Sequence, residues 1–158
     1  MKKHSIILTL VLAVLVGLTG CKKEEYVLDP APSKLEGING TFSLAKVMQV
    51  DQLTFDVNNS LDVSSVFVGE TPARITFDSD AGTFSYDSGS TIDFIGGSGS
   101  WSFDNNDYPT KIMMNNGADT YEVTLLRTIR PQDNLEFQLD RMCSGTLVFS
   151  YQYFFERI

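Results

Sequence analysis

Leu135-Glu-Phe-Gln-Leu-Asp140, then a break at Ser144-Gly145, then Leu147-Val-Phe-Ser-Tyr-Gln-Tyr-Phe-Phe155 is the stretch whose reading decides the fold. Leu135, Phe137 and Leu139 alternate with Glu136, Gln138 and Asp140. Beyond the break Leu147, Phe149, Tyr151, Tyr153 and Phe155 alternate with Val148, Ser150, Gln152, Phe154 and Glu156. A period of two puts every second side chain on one face of an extended strand, so each segment reads as a strand with one buried and one wet face. Two such strands joined by so short a break form an antiparallel hairpin.

Working backwards, the same period recurs. Phe42, Leu44, Met48 and Val50 carry it first, followed by Ile75/Phe77, Phe84/Tyr86, Ile92/Phe94, Trp101/Phe103 and Tyr121/Val123/Leu125. Between these runs lie turn-forming clusters such as Asp78-Ser-Asp-Ala-Gly82, Gly96-Gly-Ser-Gly99, Asp104-Asn-Asn-Asp107 and Asn115-Asn-Gly117. Eight main strands are expected near residues 41–50, 73–79, 83–87, 99–104, 110–115, 120–129, 134–141 and 146–157, with a further short strand as an option at 91–95. Asn59–Phe67 reads as a short helical insert after the first strand, capped by Ser60 or Asp62, with Leu61, Val63 and Val66/Phe67 turned inward. Every later connection is hairpin-length. The expected fold is therefore all-β, an eight-stranded up-and-down antiparallel β-barrel, with a β-sandwich as the alternative.

The N-terminus has a different character. Lys2 and Lys3 precede an apolar run from Ile6 to Gly17, too short for a membrane-spanning helix and suited to a signal peptide. The run ends in Leu18-Thr19-Gly20-Cys21, which resembles a bacterial lipobox. That resemblance implies cleavage before Cys21 and lipidation of its thiol. Residues 1–20 then form the signal peptide, residues 21–36 a lipidated Cys21 with a flexible tether containing Pro30 and Pro32, and residues 37–158 the barrel. Lys22 is not the Asp associated with inner-membrane retention, which favours the outer membrane. Lys22-Lys23-Glu24-Glu25 is also similar to short signals for export to the cell surface, though the same charges suit a solvated linker equally well.

The whole chain has 158 residues and a formal charge of −8. Processing removes Lys2, Lys3 and the lone histidine, His4, so 10 basic residues face 20 acids and the charge becomes −10. Such a surface repels phosphate backbones, and no nucleic-acid partner is expected. Without histidine there is no Ser-His-Asp triad, no Cys-His pair and no His-ligated metal. Asp78-x-Asp80-x-Gly82 has alternating oxygen donors but lacks the remaining ligands of a calcium loop. The reading is not an enzyme, with no catalytic residue, no metal and no cofactor.

Gly40-Thr41-Phe42 opening the first strand, Ile75-Thr76-Phe77, Tyr108-Pro109-Thr110-Lys111-Ile112, Tyr121-Glu122-Val123 and the closing Arg157 together resemble the lipocalin-like lipoproteins of Gram-negative bacteria. Phe42 stands where lipocalins carry Trp. The resemblance implies a calycin-type barrel closed at its base by Arg157 packed over Phe42, and it implies no catalytic residue. From the alternation, Tyr86, Trp101, Phe137, Tyr151 and Tyr153 would line the interior. Arg127 would join them if the odd-numbered face of the 121–129 strand points inward, where it could hold a carboxylate. Otherwise it ends the strand and reaches solvent. Two functions fit. One is a binding module for a small amphipathic or hydrophobic ligand in the barrel, and the other an envelope protein-interaction or structural subunit with a filled barrel.

Overall fold

The computed structural model describes residues 33–53 and 59–158. The expected signal peptide, Cys21 and most of the expected tether lie outside them. A short helix, α1 (Lys34–Ile38), starts within the expected tether and buries Gly37 and Ile38. Among the described residues nine strands follow, in the order β1 (Gly40–Asp51), β2 (Ser60–Asp62), β3 (Arg74–Asp78), β4 (Thr83–Asp87), β5 (Gly99–Phe103), β6 (Lys111–Asn115), β7 (Thr120–Leu125), β8 (Leu135–Cys143) and β9 (Thr146–Arg157). A single helical turn, α2 (Ser64–Phe67), sits between β2 and β3.

Each strand from β3 onward pairs antiparallel with the next, and β9 returns to pair with β1. The result is a closed eight-stranded up-and-down barrel, consistent with a lipocalin-like arrangement, with β2 as an appendage. β1 makes both joins. Its first residues, Gly40–Ser43, face β3, its last, Met48–Val50, face β2, and its other edge runs along β9 from Phe42 to Asp51. A bulge between Leu44 and Lys46 re-registers that long pairing. Closure leaves no open edge between first and last strand, which suits a chain with so many aromatic strands.

Alternation does the sorting. Ile75 and Phe77, Phe84 and Tyr86, Trp101 and Phe103, Ile112 and Met114, and Phe137 and Leu139 are buried, while their strand neighbours face outward or lie half-covered. The base is closed where α1, the start of β1, the loop before β8 and the end of β9 meet, with Ile38 and Ile129 as its apolar floor.

Arg157 locks this base. Its guanidinium lies over the Phe42 ring, 4.4 Å from the centroid, and its Nη1 donates to the Asn39 carbonyl at 2.7 Å. Nη2 donates to Gly37 O, and Nε donates to Asp133 O at 3.3 Å. One side chain thus joins α1, β1 and the β7–β8 loop. Gly40 is required beside it, because its φ of 129° suits glycine and a Cβ there would fall 2.6 Å from Arg157 Nη1.

Three expectations need correction. Residues 91–95 form no strand; the Asp93 carboxylate instead accepts the Ile95 and Gly96 N–H groups and turns the chain. β7 ends at Leu125 rather than at 129, so Ile129 reaches the floor from a loop. The insert is only partly helical. Neither Ser60 nor Asp62 is its N-cap, which is Val63 with no side-chain cap bond, although Asp62 does accept the Ser64 N–H at 2.9 Å. Leu61 lies in β2, and both Leu61 and Val66 are exposed while Phe67 packs inward.

Arg157→Met should lower unfolding free energy by about 1–3 kcal/mol, because three backbone carbonyls lose their donor and Phe42 its cation. A urea denaturation series with Arg157→Lys alongside checks it: lysine retains the charge but not the three-way reach, and should recover less than half of the loss.

Candidate functional site

The barrel interior separates into two aromatic tiers. Near the base, Phe77 packs against Phe42, Phe84 and Trp101, and Trp101 against Phe103. Toward the opposite end, Tyr153 packs against Phe94, Phe137, Phe67 and Tyr151. No ring pair among the described residues joins the tiers. Trp101 therefore belongs to the base, where its Nε1 donates to Asp78 O at 3.3 Å. It does not share a site with Tyr86, Phe137, Tyr151 and Tyr153, as the strand pattern suggested.

Arg127 does not enter the interior. It follows the end of β7 on the outer surface, where Nη1 meets Glu136 at 3.2 Å and Nη2 meets Asp133 at 3.4 Å. With the strand finished at Leu125, the two-residue period no longer carries to position 127. Of the two placements the sequence allowed this is the strand-end one, and it excludes the role of holding a carboxylate inside the barrel.

The upper tier is the candidate site. β4 supplies Tyr86, β8 supplies Phe137, and β9 supplies Tyr151, Tyr153 and Phe155. Two pieces outside the barrel strands cover them. From α2, Phe67 packs on Tyr151 at 5.1 Å and on Tyr153 at 6.3 Å. From the β4–β5 loop, Phe94 stacks on Tyr153 at 4.3 Å and 21° and meets Tyr86 edge-on at 5.3 Å. The covers are tied together where Ser90 N donates to Thr71 O and Thr71 N donates to Ser90 Oγ, each at 2.9 Å. Ile95 is fully buried beside Phe94.

Phe94 was hidden from periodicity. Ile92/Phe94 reads as two strand positions on one face, yet Ile92 is exposed and Phe94 buried. The usable signal was the loop's composition: Ser88-Gly-Ser90 on one side and Gly96-Gly-Ser-Gly99 on the other enclose two large apolar residues, Phe94 and Ile95.

The electrostatics of this tier are unusual in one respect. Tyr86 Oη and Tyr153 Oη are both buried and without a hydrogen-bond partner. A buried hydroxyl left unpaired costs about 1–3 kcal/mol, and most buried polar atoms avoid it. Burial pushes the Tyr86 phenol up to about 12, partly opposed by weak hydrogen bonding to the Phe94 backbone and the Thr91 side chain, neither of which reaches good hydrogen-bond geometry. Burial likewise pushes the Tyr153 phenol up, with Arg141 opposing and the Tyr151 and Tyr86 phenols adding to the rise.

Elsewhere the carboxylates serve turns. Asp78 Oδ1 accepts the Asp80 and Ala81 N–H groups. Asp104 accepts from the Thr110 hydroxyl and from the Lys111 and Thr110 N–H groups, which hold its carboxyl down at about 2. A groove of about 240 Å³ at the β1 bulge, between Lys46, Glu136 and Phe154, is on the outer face. It falls below the ~300 Å³ at which small-molecule sites begin.

Fold and site together define a small closed antiparallel β-barrel protein with an aromatic interior covered at one end by a loop and a helical turn. A protein-family model, that of a domain of unknown function (DUF5004), matches residues 20–155, and the chain belongs to that family. No curated protein and no solved structure matches it.

Because the folded state holds Tyr86 and Tyr153 protonated above the ordinary phenol value of 10.0, their contribution to stability is complete below pH 10. It is lost as pH rises from there through about 12 for Tyr86, since the unfolded chain gives up those protons first. Alkaline titration of tyrosinate absorbance should show a late step that coincides with unfolding. The Tyr86→Phe, Tyr153→Phe double variant should lack that step while keeping the early one.

Proposed function

We propose that this chain is a lipid-anchored outer-membrane protein whose lipocalin-like barrel binds a small amphipathic ligand in the upper tier. The observation that carries the reading is the buried Tyr153 Oη, without a hydrogen-bond partner among the described residues, beside the buried Tyr86 Oη, which has at best weak ones in the Phe94 backbone and Thr91. Such groups are retained at a cost to stability unless something else satisfies them. A ligand with an apolar body and a polar end would bury the first against Phe137, Phe155 and Tyr151 and satisfy the phenols with the second.

Anchoring rests on Leu18-Thr19-Gly20-Cys21 and on the basic, apolar segment before it. Two or more acyl chains on Cys21 would hold the protein without any membrane-binding patch on the barrel. Its acidity would keep that barrel off anionic headgroups. Lys22-Lys23-Glu24-Glu25 leaves the cell surface as a further destination.

A second reading, an interaction subunit docking on another envelope protein, draws on a different observation. Leu53, Leu61, Val66 and Met142 are all exposed at the end of the barrel that carries α2 and the β8–β9 hairpin tip. Clustered exposed apolar residues mark contact surfaces when contiguous.

Native mass spectrometry of the purified chain, after incubation with an envelope lipid extract, separates the two. A bound small molecule, one per chain and lost in the Tyr86→Phe, Tyr153→Phe variant, is the expected result; a chain that stays bare against the extract removes the ligand reading. In cells, Cys21→Ser should abolish labelling by radioactive palmitate and move the protein out of the membrane fraction. Retention of both label and membrane association would remove the anchor.

A further inference from the structure

We infer that the upper-tier site is shaped for a planar ring bearing a polar substituent, and that the Phe94 side chain fills the ring's place. The inference rests on the ligand-binding reading above and narrows it to a ligand class. Four of the walls come from strands: Tyr86, Phe137, Tyr153 and Phe155. Phe94 comes from a loop, and it is inserted among them.

The geometry around Phe94 is that of a slot. Its ring lies 21° from parallel to Tyr153 at 4.3 Å. It meets Tyr86 at 5.3 Å and 63°, and Phe155 at 6.4 Å and 56°. A flat π-system replacing it inherits one stacked and one edge-on contact, both favourable beyond the area buried. A saturated chain fills the volume but forfeits those terms.

The slot is also polar where Phe94 is not. The two phenols whose rings pack against it carry buried hydroxyls without a partner in good geometry, and a hydrocarbon ring cannot satisfy them. A phenol-type or heteroaromatic ring can, by accepting from one hydroxyl and donating to the other.

The Asp93 turn directs the Phe94 backbone, whereas its ring is held in the interior by packing on Tyr153, Tyr86 and Phe155. β4 and β5 are paired only at Thr83 with Ser100 and Phe84 with Gly99, so the whole loop beyond lies outside the ladder. The anchor of that loop is one residue further on. Asn116 Nδ2 donates to Ile95 O at 3.0 Å and to Gly96 O at 2.9 Å. Gly96 and Gly97 follow at φ of 75° and 113°. Ile95 stays pinned while Phe94 swings, so the site opens without dismantling the barrel.

The probes are 2-naphthol, naphthalene and 1-decanol, titrated by calorimetry against the purified chain. The expected order is 2-naphthol tightest. Phe94→Leu, which keeps apolar bulk but no ring, removes the competing occupant and should tighten 2-naphthol about tenfold, as expected when a competing closed state is abolished. Tyr86→Phe and Tyr153→Phe should each weaken 2-naphthol by about 3- to 10-fold, the size of one hydrogen bond, and leave naphthalene unchanged. If Phe94→Leu unfolds, wild-type chain with ring-labelled phenylalanine reports instead, because the Phe94 ring must lose its contacts to Tyr153 when 2-naphthol binds. The inference is overturned if 1-decanol binds as tightly as 2-naphthol, or if the Phe94 ring keeps its contacts at saturation. Binding of 1-decanol alone would leave the amphipathic-ligand reading standing. Binding of no probe by wild type or Phe94→Leu, together with a bare chain in the lipid extract, would overturn both.

Discussion

The pairing of β1 with β9 is the constraint on which the molecule depends. It is the one junction between sequence-distant strands, and it converts a meander of local hairpins into a closed surface. Loop-closure entropy opposes it, since the whole domain must be traversed before the contact forms. The chain concentrates interactions there: two twelve-residue strands, the Phe42–Arg157 contact, and a guanidinium that reaches three backbone carbonyls. Gly40 admits that guanidinium by having no side chain.

Closure creates an interior, and the interior is not uniform. At the base the rings pack as a core: Phe42, Phe77 and Phe84 have no polar atoms, and the single indole N–H of Trp101 finds a carbonyl. In the upper tier the two phenols have no such outlet, and the cover over them is borrowed from a loop and a helical turn. A protein selected only for stability would replace both tyrosines by phenylalanine and lose the desolvation cost of two hydroxyls. The contrast between the tiers separates a structural core from a place where stability has been given up locally, as functional sites do.

Strand positions were largely legible because one face of each strand is wet, which makes burial alternate with the pleat. Thr83–Asp87 and Thr146–Arg157 match the reading to the residue. Arg157 over Phe42 came from a family resemblance, because periodicity says which face a residue occupies and not what it meets across the barrel. Legibility stopped where the ladder stopped. The period left Arg127 two placements, inward or at the strand end in solvent, and the end of β7 at Leu125 decides for the second, beside Asp133 and Glu136. Phe94 was missed as a cover because its alternation with Ile92 imitates a strand, while the Asp93 turn sets its actual direction. Trp101 and Tyr153 share the inward face, but depth along the barrel axis, which a two-residue period does not encode, puts them in different tiers.

The base has a mechanical consequence. The chain enters the barrel at Gly40 and leaves it at Arg157, and these ends lie side by side, with Phe42 opposite Arg157 and the Ile158 N–H donating to Thr41 O at 3.0 Å. A load applied between the two ends therefore runs parallel to the β1–β9 hydrogen bonds, which lie across the strands. Such bonds give way one after another like a zipper, rather than all at once in shear. Arg157 is the slider of that zipper: it must be pulled from the Gly37 and Asn39 carbonyls and off the Phe42 ring before the first rung can open.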